Sequence, residues 1–85
     1  MKFYILTIEQ IIKDGSLTEY ANVEKVDSEN TALSKYYKKL SDVSASIEKG
    51  VHTYMCIQIL NSFGGVVKED MVGVYQNDIP VIPEE

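Results

Sequence analysis

The stretch KFYILTIEQIIKDGSLTEYANVEK, residues 2–25, reads as two strands folded about Asp14-Gly15. Residues 2–12 are rich in β-branched and aromatic types, the composition of a strand. Asp-Gly between two such runs is a strong hairpin signal, because a type I′ turn needs positive φ at both central residues. Residues 17–26 return as the second strand. A two-residue turn sets the register: Ile12 faces Leu17, Ile8 faces Ala21 and Leu6 faces Val23. These residues share one side with Tyr4, and strand alternation places Phe3, Ile5, Thr7, Glu9, Ile11, Tyr20, Asn22 and Glu24 on the other. The first side is the purer apolar one, so it is the expected core side.

A helix follows. Asp27 or Ser28 suits the N-cap, and Glu29 complements the positive end of the helix dipole. Leu33, Tyr36, Leu40, Val43 and Ile47 recur at steps of three and four, which makes one apolar stripe. Gly50 supplies the left-handed stop. The stripe is too short for a coiled coil and is read as core against a sheet. A helix of about 20 residues spans roughly 30 Å, close to the length of a ten-residue strand.

Residues 51–62 and 66–75 read as a second hairpin joined near Phe63-Gly64-Gly65. With Gly64-Gly65 as the turn, Met55 faces Val74 and Ile57 faces Val72, both on the helix side. His52, Tyr54, Cys56, Gln58, Leu60, Met71 and Tyr75 take the opposite side. The strand directions then place the third strand antiparallel beside the first. The expected fold is α+β: ββαββ, a four-stranded antiparallel sheet of order 2-1-3-4 with one helix on one face. Residues 1–76 form the single domain. Residues 77–85 form an extended tail in which Pro80 and Pro83 bar a central strand, while Ile79, Val81 and Ile82 favour docking.

An 85-residue chain buries a modest share of its surface and gains much from an added staple. The lone Cys56 makes no intrachain disulfide, and one His with one Cys makes no zinc site. Oligomerisation is the staple that remains. The free cysteine fits a reducing compartment, and there is neither a signal-peptide pattern nor an apolar run of membrane-spanning length, so the expectation is a soluble cytoplasmic protein with no membrane contact. The net charge is −5, and all eight basic residues are lysines. An acidic chain without arginine lacks the bidentate fork used on phosphate and guanine, so no nucleic-acid partner is expected.

No catalytic set emerges. His52 and Cys56 lie roughly 13 Å apart if they share one strand, beyond hydrogen-bond reach. Glu69 and Asp70 are strand neighbours that point to opposite faces. Lys35, Lys38 and Lys39 form a basic helix arc, partly neutralised by Asp42 and read as a solvated face rather than a phosphate patch. Gly64-Gly65 lacks the lysine and spacing of a phosphate loop. The expectation is no enzyme activity, no cofactor and no metal.

The side of the sheet away from the helix is then the candidate site. Phe3, Ile5, Tyr20, Tyr54, Leu60, Met71 and Tyr75 are the expected interface residues, a set rich in the aromatic and Met side chains favoured at interfaces. The sequence-level reading is a small non-enzymatic binding protein that self-associates through this open face. The alternative is a small-ligand binder with a tyrosine-lined pocket at a subunit boundary. Three segments carry a resemblance: Lys2–Ile8 with its Asp14-Gly15 turn, Ala32–Tyr37, and Cys56 with Asn61–Lys68. They resemble a group of short uncharacterised proteins of phages and mobile elements of gut bacteria. The resemblance covers residues 2–70 and carries no functional residues. It implies a protein that occludes or sequesters a host factor, such as a defence protein.

Overall fold

The computed structural model describes residues 2–76. Strands β1 (Phe3–Lys13) and β2 (Ser16–Val26) precede helix α1 (Glu29–Glu48), which is followed by β3 (His52–Leu60) and β4 (Val66–Gly73). The sheet is antiparallel with order β2-β1-β3-β4. This is the expected α+β architecture, with the two most apolar strands at the centre. Asp14 (φ 54°) and Gly15 (φ 79°) make the expected left-handed pair, and Ile12↔Leu17, Ile8↔Ala21 and Leu6↔Val23 pair as anticipated.

Helix α1 starts where Ser28 accepts a hydrogen bond from the Thr31 amide at 3.2 Å and stops at Gly50 (φ 80°). Its stripe buries Ala32, Tyr36 and Val43, with Leu33, Leu40 and Ile47 packed beside them. Tyr36 is fully buried, and its hydroxyl donates to Asp70 on β4 at 2.5 Å. Burial first, then the Asp70 carboxylate, pushes the phenol well above its ordinary pKa. Lys68 lies over the Tyr36 and Tyr37 rings, so β4 is tied to the helix at two points.

The structure corrects the core side of the first hairpin. Helix α1 covers Phe3 and Ile5, with Ile5 5% exposed, while Tyr4, Leu6 and Ile8 lie on the far side. The reason is the joining of the two hairpins. Ile5 pairs with Ile59, Thr7 with Ile57 and Glu9 with Met55, and opposed residues share a face. Met55, Ile57 and Ile59 are all fully buried. Their unbroken apolar run in β3 selects the face and carries the odd-numbered residues of β1 with it.

Two further departures have local causes. The second hairpin closes through Asn61, whose side chain accepts from the Phe63 and Gly65 amides at 2.9 Å, a turn that a two-residue reading misses. Met55 therefore opposes Val72 and Ile57 opposes Asp70, two residues from the expected register but on the same faces. The other departure is a bulge. Gln10 pairs with Tyr54 and Ile11 with His52, so Thr53 is the extra residue. The bulge reverses the alternation, and His52 points to the helix side although Tyr54 does not. Unbroken alternation would put both on one face. The expected docking of the tail falls at residues 77–85, outside the described residues.

Candidate interaction surface

The face away from α1 is built on the even-numbered residues of β1. Tyr4, Leu6 and Ile8 run along its middle beside Leu60, Cys56 and Tyr54 of β3, all six half-buried. Val23 of β2 and Met71 of β4 flank them, 59% and 63% exposed. Ala21, Ile8, Cys56 and Met71 form one row across all four strands. The polar member opposite Leu6 is Gln58, which donates to Glu69 at 2.8 Å. Burial, followed by the Glu69 carboxylate, pushes the Cys56 thiol above its ordinary pKa. Cys56 is a half-buried member of the face, between Ile8 and Met71.

One end of this face is already covered. Beyond Gly73 (φ 81°), the Val74 amide donates to the Thr53 carbonyl at 2.8 Å. Tyr75 packs edge-on against Tyr54, ring centroids 5.1 Å apart, and its hydroxyl donates to Glu19 at 2.9 Å. The Gln10 side-chain amide then acts as a substitute strand. Its oxygen accepts from the Gln76 amide at 2.8 Å and its nitrogen donates to the Gln76 carbonyl at 2.9 Å. Gln10 is 2% exposed, and these bonds satisfy a polar group that burial would otherwise penalise.

Of the expected interface residues, the structure brings together Tyr54, Leu60, Met71 and Tyr75. It does not add Phe3, Ile5 or Tyr20. Ile5 is core, Phe3 packs against that core partly buried, and Tyr20 opposes Glu9 on the helix side. Tyr4, Leu6, Ile8 and Val23 take their places. Strand alternation and apolar purity alone put these four on the core side.

The helix side holds a second feature. Helix α1 packs mainly over β3 and meets β2 only near Glu24 and Val26, which opens a groove of about 380 Å³ between α1 and β2. Its lysines are engaged: Lys35 with Glu24 at 2.7 Å, Lys38 with Asp42 at 3.2 Å and Lys39 with Glu9 at 3.0 Å. A phosphate would have to displace a carboxylate from each. At the end of the groove, His52 bridges Glu9 (Nε2 to Oε1, 2.8 Å) and Ser46 (Nδ1 to Oγ, 2.6 Å). Burial pushes Glu9 up, but the bonds to His52 and Lys39 outweigh it and hold the carboxyl below its usual range. Sequence reasoning missed this serine–histidine–carboxylate chain because the Thr53 bulge creates it; the one available hint was a glutamate inside an apolar strand. Ser46 lies in the last turn of α1, the negative end of the helix dipole, which opposes a developing oxyanion. The chain is better suited to clamping the end of α1 onto β1 and β3.

Among the described residues, no three His, Cys, Asp or Glu side chains converge as a metal site, and no helix is long and apolar enough to cross a membrane. No protein-family model matches this chain, and neither a curated protein nor a solved structure does.

Proposed function

We propose that this protein is a small non-enzymatic binding module whose open sheet face docks face to face on a second copy. The observation that carries this is the apolar middle of that face, Tyr4, Leu6, Ile8, Cys56 and Leu60, while Val74–Gln76 fold over its Gln10 and Tyr54 end. Exposed apolar patches of this extent mark interaction surfaces in soluble proteins. The size is adequate. Strands of nine residues, four abreast, cover roughly 550 Å² in projection at about 3.3 Å per residue and 4.8 Å per strand. Side-chain relief raises the accessible area toward the ~800 Å² per partner of a standard interface. The occluded or sequestered target suggested by the phage-protein resemblance would compete for this same surface.

The test is the oligomeric state. Sedimentation equilibrium at micromolar concentration should give a dimer or larger. Ile8→Glu with Met71→Glu places two carboxylates in the row that crosses the face and should shift the protein toward monomer with its circular dichroism intact. A wild-type chain that sediments as a 9.6 kDa monomer overturns the proposal.

A further inference from the structure

We infer that the free edge of β2 is a second, independent self-association site, on which another copy adds its own β2 antiparallel in one defined register centred on Asn22. This contact goes beyond face-to-face docking because it uses the rim of the sheet.

The backbone supplies the first argument. Lys13 and Ser16 flank the two-residue turn and form the mutually bonded pair that such turns close on. Bonded pairs alternate along an antiparallel ladder, so Thr18, Tyr20, Asn22 and Glu24 bond inward to β1. The N–H and C=O groups of Leu17, Glu19, Ala21, Val23 and Lys25 therefore face outward. Natural edge strands are usually kept short, bulged, charged or covered. β2 runs for 11 residues with no register shift and no proline, no described strand pairs with its outer edge, and α1 meets it only near Glu24 and Val26. The other edge is defended: β4 begins at a bulge and carries Lys68, Glu69 and Asp70 in succession.

Charge supplies the second argument, and it selects the register. With Asn22 opposite its own copy, Glu19 opposes Lys25 twice and Ala21 opposes Val23 twice. Outward-bonding residues then meet outward-bonding residues, as the ladder requires. Opposite charges facing each other across strands are favourable, and like charges are not. A register centred on Ala21 sets Glu19 against Val23, and one centred on Val23 sets Glu19 against Asp27. The partners are also available. Lys25 makes no ion pair among the described residues. Glu19 receives Gln10 and Tyr75 on the same oxygen, Oε1, which leaves Oε2 for the lysine of the second copy.

Disulfide trapping tests the register. In a Cys56→Ser background, Asn22→Cys puts two thiols in a non-bonded antiparallel pair with Cα atoms about 4.5 Å apart, inside the disulfide range. Glu24→Cys places its thiols four residues out of step, roughly 13 Å apart, outside that range. Under mild oxidation at micromolar concentration, Asn22→Cys should crosslink at least about tenfold faster than Glu24→Cys. Ala21→Pro removes an outward N–H, a change that edge strands tolerate, and Lys25→Glu sets like charges opposite each other; either should slow the crosslinking of Asn22→Cys to the Glu24→Cys level. Equal rates at the two positions, or crosslinking indifferent to both Ala21→Pro and Lys25→Glu, would overturn the inference. Adding Ile8→Glu and Met71→Glu should leave the trapping intact, so failure of the face contact and failure of the edge contact are read separately.

Discussion

Ile5→Ala and Leu6→Ala are adjacent substitutions that should behave as opposites. Ile5 is 5% exposed and lies among Ile59, Ile57 and the helix stripe. Truncating it opens a cavity under α1 and should cost about 2–5 kcal/mol. In a domain with about 5–15 kcal/mol in hand, that is a large share. At roughly 4–8 °C per kcal/mol for a domain of this size, the melting temperature should fall by at least about 8 °C. Leu6 is partly exposed on the open face, where no helix closes over it, and truncation forfeits most of the roughly 1.5–3 kcal/mol for full burial without the added cost of an enclosed cavity, about 1–2 kcal/mol. On the proposed face-to-face assembly, the loss for Leu6→Ala should also grow with protein concentration, whereas the loss for Ile5→Ala should be the same at all concentrations. Thermal unfolding followed by circular dichroism at 5 and 200 µM (values of order tens-fold apart are enough) separates the two. If Leu6→Ala unfolds the protein and Ile5→Ala is nearly silent, the helix covers the other face and the placement of the core described above is wrong.

Glu9 is held below the usual carboxylate range, so its contribution to stability is present above about pH 4.3, the unfolded value, and is lost as pH falls through the lower folded value. Melting temperatures taken across pH 3–6 (about the carboxylate range) should show Glu9→Gln less stable than wild type at the upper end, with the gap closing toward the lower; a gap independent of pH would contradict the assigned role. A Cβ at Gly73 would lie 2.3 Å from the Thr53 carbonyl oxygen, at φ +81°. Gly73→Ala should therefore destabilise by more than about 1 kcal/mol in a denaturant titration, and a neutral result would mean that β4 does not end in this close approach.

The elements themselves were legible in the sequence because each is specified locally. Asp14-Gly15 dictates the first hairpin, Ser28 and Gly50 bound the helix, and the stripe from Leu33 to Ile47 orients it. What could not be read was non-local. Which side of β1 meets the helix is decided by its pairing with β3, where Ile5 meets Ile59 across more than fifty residues of sequence. The candidate surface inherited that ambiguity. The sides of Tyr54, Leu60, Met71 and Tyr75 follow from alternation within their own hairpin, whereas those of Phe3, Ile5 and Tyr20 depend on that pairing. The Thr53 bulge had no sequence signature of its own, so the contact of His52 with Glu9 and Ser46 was invisible until the sheet was assembled. Gln10 was equally opaque: a glutamine in an apolar strand gives no sign that its amide will stand in for a strand.

The strand order also bears on biosynthesis. β1 is a central strand, but its partner on one side, β3, is made long after it. At ordinary translation speeds of about 5–20 residues per second, roughly 2–10 s separate the emergence of Lys13 from that of Leu60. During that interval the first hairpin presents Phe3, Ile5, Leu6 and Ile8 beside an unpaired backbone edge, the kind of segment that other nascent chains capture. Glu9, Lys13 and Asp14 stand at the far end of that strand as charged gatekeepers, and the helix that follows is complete before β3 begins. The strand order therefore leaves the inner edge of β1 open until the last two strands arrive to close it.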